Sequence, residues 1–191
     1  MRILILLKKC SLNFPPNPIL WAKPAVRIIG IDPGSQKTGY GIIDYQNNRL
    51  RYVHSGCIHL GSTRPLADRL LILFKELEIT LKEFHPEQGA IEKIFFGKNA
   101  QSALTLGHAR GVAMLQLISS QLSIHEYTPL EVKQSVVGVG RASKEQVQHM
   151  VKILLNQKSK ELQEDEADAL AVAITHAHSN TYLQKRYDRL S

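Results

Sequence analysis

Between residues 26 and 59, the pattern of apolar and polar positions is typical of β-strands: it begins with an apolar run that reads as a buried strand and ends with a stretch that alternates. Strand-like runs occupy Val26–Asp32, 38–45 and Arg49–His59, and the polar residues 46–48 form a turn between the last two. Successive strands joined by short turns pair antiparallel, so this part of the chain predicts a three-stranded meander.

The remaining pattern changes between helical and strand-like spacing. Leucines recur at helical intervals over 65–84, and Pro86 ends that predicted helix. An apolar run over 88–94 that contains one acid predicts a fourth strand. The elements predicted after it are, in order, a helix over 99–122, a strand over Ser123–Tyr127, a short helix opened by Pro129, a helix begun by a capping box at 143–146 and a last helix over 165–178.

This order of elements predicts an α/β fold in which helices flank a five-stranded mixed sheet. A helical crossover between the first and fourth strands makes these two strands parallel. Their carboxyl ends then meet at one edge of the sheet, where α/β proteins bind ligands. Asp32 and Glu92 stand at these two ends, so we expect the two carboxylates to lie close together.

Composition predicts one domain with a substantial core, because the 191 residues are 43% hydrophobic and 21% charged. Residues 1–25 contain four basic residues and no acid, so only +3 of the net charge of +7 belongs to the remainder. A nucleic-acid site must therefore be a local patch. We predict that 1–25 is an extension, either unstructured or an over-extended reading frame, that 26–178 is the domain, and that 179–191 is a polar, frayed tail.

The number and spacing of the cysteines indicate the cellular compartment. Cys10 and Cys57 are too few for a disulfide framework and form no Cys-x-x-Cys metal pair. We therefore expect a protein of the reducing cytoplasm. No apolar run approaches the roughly 20 residues that a membrane-spanning helix needs, so no membrane partner is predicted.

Two further acids begin the last predicted helix. Asp165 and Asp168 are three residues apart and therefore face the same side of it. Acids in a first helical turn are also ordinary partners of the helix dipole, and for Asp165 this interpretation is about as strong as a functional one. Asp168 adjoins an apolar stripe, so we expect it to be half-buried and to need a partner.

Asp32, Glu92, Asp165 and Asp168 together supply oxygen ligands from three elements. Carboxylates, water and substrate phosphates are the usual ligands of Mg²⁺. Two such ions about 4 Å apart can activate a water and stabilise the leaving oxygen in phosphodiester cleavage. Without a cation, four neighbouring carboxylates repel one another and their pKa values rise. The cluster therefore favours metal ligation for Asp32 over hydrogen bonding within its own turn.

Four blocks of sequence carry a resemblance to a known family: GIDPGSQKTGYGII, AIEKIFFGKNAQSALTLGHARGVAM, VKQSVVGVGRASKEQVQHMV and DEADALAVAITHAH. Over nearly all of 26–178, the chain resembles the RuvC family of Holliday junction resolvases. The resemblance implies an RNase H-like fold, a homodimer and an Mg²⁺-dependent endonuclease, with Mn²⁺ as a substitute ion. Such enzymes resolve four-way DNA junctions by symmetric cuts in recombination and repair. It also implies that the four acids are catalytic and that the branch-migration motor proteins RuvA and RuvB are partners.

Candidate DNA-binding residues lie near these acids. The resemblance points to Phe95 as a wedge against unpaired bases. One of the two adjacent aromatic residues at 95 and 96 would equally fit core packing. Lys98 and Arg110 are candidates for phosphate contacts, with a solvated surface position as the alternative for each.

A glycine-rich loop offers a second phosphate-binding element. Lys133 precedes and Lys144 follows the loop that contains Gly138 and Gly140, and exposed amides at the start of the next helix attract anions. A lysine here could stabilise negative charge that develops at the scissile phosphate. The alternative is a tight turn flanked by solubilising lysines.

Other functions fit the sequence less well. The glycines of GIDPGSQKT have the wrong spacing for a Walker loop, and an ATPase of the sugar-kinase or chaperone type needs two such domains. A non-catalytic DNA-binding module is the main alternative, but four converging acids oppose phosphate binding without metal. His176 and His178 face different sides of a helix, which argues against zinc. Lys93 and Glu166 are expected to face away from the four acids.

Overall fold

The computed structural model describes residues 25–94, 100–157 and 161–187, with side chains through residue 179. One five-stranded sheet has the order β3-β2-β1-β4-β5, as the sequence predicted for a mixed sheet. Its strands are β1 (Val26–Asp32), β2 (Lys37–Gln46), β3 (Arg49–His59), β4 (Gln88–Glu92) and β5 (Ser123–Tyr127). The helices are α1 (Leu66–Phe84), α2 (Ala100–Ser119), α3 (Pro129–Val137), α4 (Lys144–Leu154) and α5 (Glu164–Tyr187).

Strand pairing confirms the predicted directions. β1, β2 and β3 form an antiparallel meander, while β1 pairs parallel with β4 and β4 pairs parallel with β5. Ile31 lies opposite Ile91 in the parallel register, so the acids that follow them, Asp32 and Glu92, end adjacent strands at the same edge.

Two helical layers cover the sheet. Ile28 and Ile43 face a core formed with α3, α4 and α5, and the adjacent Ile29 and Ile42 face a second core formed with α1 and α2. Successive residues of a strand point to opposite faces, so the paired isoleucines supply both cores. The strands therefore read as apolar runs because both of their faces are buried.

Helix α5 approaches β1 and β2 unusually closely. A Cβ atom built on Gly30 would lie 2.6 Å from the backbone nitrogen of Ala173, and one built on Gly39 would lie 2.5 Å from the carbonyl carbon of Asp165. The helix carries small, buried alanines at 167, 169, 171 and 173, of which Ala169 and Ala173 lie against Gly30. Glycines on the strands and alanines on the helix thus fix the height of α5, and of Asp165, above the sheet.

Capping boxes define the helices around the glycine-rich loop. Ser143 and Gln146 form the predicted capping box of α4, and Thr128 and Glu131 form a second one at the start of α3. Each box satisfies backbone amides that would otherwise lack partners at a helix start. The box at Ser143 fixes where the loop between α3 and α4 ends, and the C-cap residue Gly138 marks where it begins.

Three boundaries differ from the predicted ones by two residues or more. β4 ends at Glu92 instead of 94, and α2 ends at Ser119 instead of 122. Helix α5 continues beyond His178 to Tyr187, so the predicted helix end at 178 was wrong, while the frayed tail stays a prediction. Polar composition alone does not end a helix, and no glycine or proline interrupts 179–187. Within the described ranges, no helix combines the length and apolar character needed to cross a membrane.

Candidate active site

Four acids meet at the carboxyl edge of β1 and β4, where the first turns of α5 lie over the sheet. Asp32 ends β1 and Glu92 ends β4, and their side chains are joined by a hydrogen bond. The negative charges of Asp165 and Asp168, at the start of α5, also act on Asp32. The structure thus gathers all four predicted acids into one electrostatic cluster.

Burial and mutual repulsion favour the protonated forms of the carboxyl groups in this cluster. Burial, together with the charges of Glu92 and Asp168, raises the pKa of Asp32 to about 8. Burial also raises the pKa of Glu92 and of Asp168. The hydrogen bond between the two side chains raises the pKa of Asp32 and opposes the rise at Glu92. A bound cation would relieve the same repulsion without the proton.

The donor set fits Mg²⁺ by its chemistry, because carboxylate oxygens are the protein ligands this hard cation prefers. The described residues contain no group of three or more His, Cys, Asp or Glu side chains already arranged to hold a metal ion. Two of the acids have other partners: Asp32 is hydrogen-bonded to Glu92, and Asp168 lies 3.7 Å from Nζ of Lys144. Binding a cation would therefore require these carboxylates to exchange their present partners.

Both lysines predicted beside the glycine-rich loop lie near the acids. Lys144 pairs with Glu164 and contacts Asp168, and the hydrogen bond that Lys144 donates to Glu164 raises the pKa of Lys144. The charges of Lys133 and Lys144 both oppose the upward shift of the pKa of Glu92. Positive charge at this edge therefore comes from α3 and α4, directly beside the carboxylates.

The loop itself requires its glycines. Gly138 ends α3 with a φ of 87°, in the left-handed region that favours glycine. A Cβ atom on Gly140 would overlap the side chain of Leu130. This geometry gives the glycines a structural reason, while contact of the loop with DNA stays a prediction.

The remaining predicted DNA-binding residues have different outcomes. Phe95 and Lys98 lie outside the described residues. Arg110 is described, but its guanidinium faces inward: Nε donates to the carbonyl oxygen of Glu92 at 3.1 Å, and a terminal nitrogen pairs with Glu126. A role for Arg110 in binding DNA stays a prediction, to which these contacts lend no support.

The sequence analysis missed the contacts that two side chains of β3 make with Asp165 and Glu166. Cys57 on β3 donates its thiol to Asp165 at 3.7 Å, and burial together with Asp165 raises the pKa of this thiol to about 11. Ser55, two residues earlier, donates to the buried carboxylate of Glu166 at 2.8 Å. Glu166 therefore points to β3, away from the four acids as predicted. The alternation along β3 puts Ser55 and Cys57 on one face, but their sequence does not reveal which helix covers them.

The two late histidines also behave as predicted. Hydrogen bonds from Thr128 chiefly lower the pKa of Glu131, and the charge of Lys93 lowers it as well, while the predicted orientation of Lys93 away from Glu92 stays a prediction. His176 is fully buried between Tyr127 and Gln88, with Nδ1 2.8 Å from the tyrosine hydroxyl and Nε2 2.9 Å from the amide oxygen. His178 instead lies 3.1 Å from Ser135. The two imidazoles thus serve separate structural contacts.

Acid should destabilise the fold through His176. Burial and the nearby His125 lower the pKa of His176 from 6.5 to about 4. A neutral imidazole with its proton on Nε2 satisfies both neighbours, so stability is full above pH 6.5 and falls as the pH drops from 6.5 towards 4. Protonation should remove about 2–3 kcal/mol by pH 4.5. Urea unfolding at fixed protein concentration should show this loss in the wild type and a smaller one in His176→Gln. The exposed His149→Gln should keep the wild-type loss, and equal losses in all three proteins would contradict the prediction.

The sheet order, the crossing helix and the acids at the carboxyl edge define a protein of RNase H-like fold. The family model of crossover junction endodeoxyribonuclease RuvC matches residues 28–176. The chain is 54% identical over 153 residues to the Syntrophotalea carbinolica protein of that name, covering 80% of this chain and 94% of the relative. It is 46% identical over 160 residues to that of Caldanaerobacter subterraneus, covering 84% and 97%. The chain therefore belongs to the RuvC family.

Solved structures agree with this assignment. Thermus thermophilus RuvC in complex with a Holliday junction substrate matches with a TM-score of 0.77 and 30% identity, over 82% of this chain and 96% of that one. The yeast mitochondrial Holliday junction resolvase Ydc2 matches with a TM-score of 0.59 and 14% identity, over 85% and 83%. The match to Ydc2 supports the fold alone.

Proposed function

We propose that this chain resolves Holliday junctions by symmetric, Mg²⁺-dependent cleavage of phosphodiester bonds, with Mn²⁺ as a substitute ion. The observation that carries the proposal is the convergence of four partly buried acids at one sheet edge, with an upward shift of the pKa of Asp32 to about 8. Such a cluster is unfavourable in an apolar setting unless cations or protons neutralise it. Membership of an endodeoxyribonuclease family supports the same function.

Asp32, Glu92, Asp165 and Asp168 would hold two ions at this edge. Bound Mg²⁺ would activate the attacking water and neutralise charge at the leaving oxygen. Lys144, on the first turn of α4 and 3.7 Å from Asp168, is placed to contact the scissile phosphate and stabilise its additional charge. Lys133 would hold a neighbouring phosphate. Phe95 and Lys98 remain proposed junction contacts by family resemblance.

The direct test uses a synthetic four-way junction with each strand labelled in turn. We expect paired nicks at symmetric positions in Mg²⁺ or Mn²⁺ and none in EDTA, while the intact junction is bound in both. Binding without cleavage at any Mg²⁺ or Mn²⁺ concentration would favour a non-catalytic DNA-binding module. Neither binding nor cleavage would contradict both functions.

Symmetric cleavage requires two active sites, and we propose that α2 forms the homodimer surface. Leu104, Leu115 and Ile118 are each more than half exposed on this helix. Leu104 and Leu115 line a groove with Gly107 and Gly111, which lack side chains and permit close approach of a second helix. An apolar surface of this kind on a soluble domain is typical of an interface.

Leu115→Glu should therefore weaken the dimer. Burying an unpaired carboxylate in an apolar interface costs about 3 kcal/mol, or roughly 100-fold in the dimer dissociation constant. Analytical ultracentrifugation should show a monomer at concentrations where the wild type is dimeric, and paired nicking should be lost. Ile79→Glu on α1 is the matched control, because Ile79 and Leu115 are both 57% exposed. Equal effects of the two changes would argue against α2 as the interface.

The family resemblance also supports three proposals about cellular context. We infer that the protein acts in the cytoplasm, alongside the RuvA and RuvB branch-migration proteins, and that the natural polypeptide begins near Val26. Pull-down with purified RuvA and RuvB on junction DNA tests the partners. Intact-mass analysis of the native protein tests the start site, because a mass that includes residues 1–25 would exclude a start at Val26.

A further inference from the structure

Arg110 connects α2 with the strand end that carries Glu92. Its Nε donates to the main-chain oxygen of Glu92 at 3.1 Å, and a terminal nitrogen pairs with the carboxylate of Glu126. Glu126 lies on β5, where the parallel register places it opposite Ile91, one residue before Glu92. The Arg110 side chain is 19% exposed and that of Glu126 is 40% exposed, so the contact with Glu92 is partly buried while the ion pair with Glu126 lies at the protein surface.

These contacts lie at the carboxyl end of β4, next to Glu92. β4 ends at Glu92, and the backbone nitrogen of Lys93 makes a 2.7 Å hydrogen bond to the oxygen of Tyr127 on β5. Arg110 thus fixes the main-chain oxygen of Glu92, and Tyr127 fixes the next amide. Together they hold the peptide that joins residues 92 and 93 on both of its polar groups.

The same contacts argue against a phosphate-binding role. The carboxylate of Glu126 balances the charge of Arg110, whereas a phosphate contact needs an uncompensated, accessible cation. A planar guanidinium donates in fixed directions, which suits it to orienting two acceptors at once. Lysine carries the same charge but lacks the planar arrangement of several N–H donors.

We propose that Arg110 is a positioning residue that, with Glu126 as its counter-charge, orients the main chain of Glu92 so that its carboxylate faces Asp32. This inference rests on the metal-dependent nuclease function proposed above. Because Arg110 lies between Gly107 and Gly111, one helix carries both the proposed dimer surface and the support of Glu92.

The first test compares full-length wild type, Arg110→Lys, Glu126→Gln and the double variant on a four-way junction. We expect kcat to fall about tenfold in each single variant, with KM and the junction Kd unchanged, because a displaced ligand affects chemistry more than binding. The double variant should be no slower than Arg110→Lys, since both changes disrupt one unit. Glu78→Gln is the matched control: it removes an acid from the exposed Glu78–Lys82 pair and should leave kcat unchanged.

A second measurement separates positioning of a ligand from a general loss of stability. We expect the half-saturating Mg²⁺ concentration to rise severalfold in both single variants, and the rise in Tm that Mg²⁺ produces without DNA to shrink. A purely structural role would lower Tm equally with and without Mg²⁺ and would overturn the proposal. If Arg110→Lys does not fold, the result for Glu126→Gln tests the proposal alone, because glutamine has nearly the same shape as glutamate.

Two further results would overturn the proposal. Unchanged kcat and Mg²⁺ dependence in both variants would show that Glu92 needs no such support. Weaker junction binding in Arg110→Lys together with tighter binding in Glu126→Gln, at unchanged kcat, would instead assign Arg110 to DNA. Failure of the wild type to cleave in Mg²⁺ would contradict the nuclease function itself, so the two failures are distinguishable.

Discussion

Asp32→Asn should reduce junction cleavage by about 10³-fold or more while leaving the junction bound. Asparagine has nearly the shape of aspartate but no negative charge, so it weakens the ligation of a cation on which the proposed chemistry depends. Binding should be retained or tightened, because one negative charge near the DNA phosphates is removed. Single-turnover cleavage and gel-shift titration of the same junction measure the two effects separately.

A stability measurement should exclude misfolding as the cause. A carboxyl group whose pKa is raised on folding makes the folded protein less stable as the pH rises. For Asp32, this loss of stability develops between about pH 4 and about pH 8. In EDTA at pH 8, Asp32→Asn should therefore melt at a higher temperature than the wild type. Asp68→Asn, an exposed position at the start of α1, makes the same chemical change and should affect neither property. Wild-type cleavage by Asp32→Asn would exclude Asp32 as an essential ligand.

The sequence predicted those parts of the fold and site that depend on local patterns and general topology. Apolar runs predicted all five strands, and the rule for parallel crossovers brought Asp32 and Glu92 to one edge. The three-residue spacing of Asp165 and Asp168 placed both on one side of α5. Each of these inferences needs only neighbouring residues or a rule that holds for most α/β sheets.

Contacts between distant elements could not be predicted in this way. A single arginine on a helix resembles a phosphate ligand, and the pairing of Arg110 with Glu126 depends on how α2 lies over β5. The burial of Glu166 depends likewise on Ser55, which is 111 residues away. Helix α5 extended past its predicted end because nothing in its polar sequence stops it. Side-chain roles that follow from tertiary packing therefore required the structure.

Gly39→Ala should disrupt both the fold and the active site, although it adds one methyl group. The new Cβ atom would lie 2.5 Å from the carbonyl carbon of Asp165 and would overlap the carbonyl oxygen. Both atoms belong to the backbone of α5, so no side-chain rotation relieves the clash. Overpacking of this kind costs about 1–3 kcal/mol, and backbone contacts should place this variant at the upper end.

Relief of the clash must move the start of α5, which carries Asp165 and Asp168, away from Asp32. A displacement of about 1 Å at a catalytic group can lower the rate about 100-fold, so cleavage should fall well beyond the loss of folded protein. Gly89→Ala is the matched control on β4, because the nearest atom to its Cβ would be a methyl group of Leu117, at 3.2 Å, and the nearest backbone atom would be the oxygen of Ser123, at 3.6 Å. Urea unfolding and single-turnover cleavage at a temperature where both variants are folded provide the comparison. Equal effects of the two substitutions would show that the close approach of α5 to β2 does not position the acids.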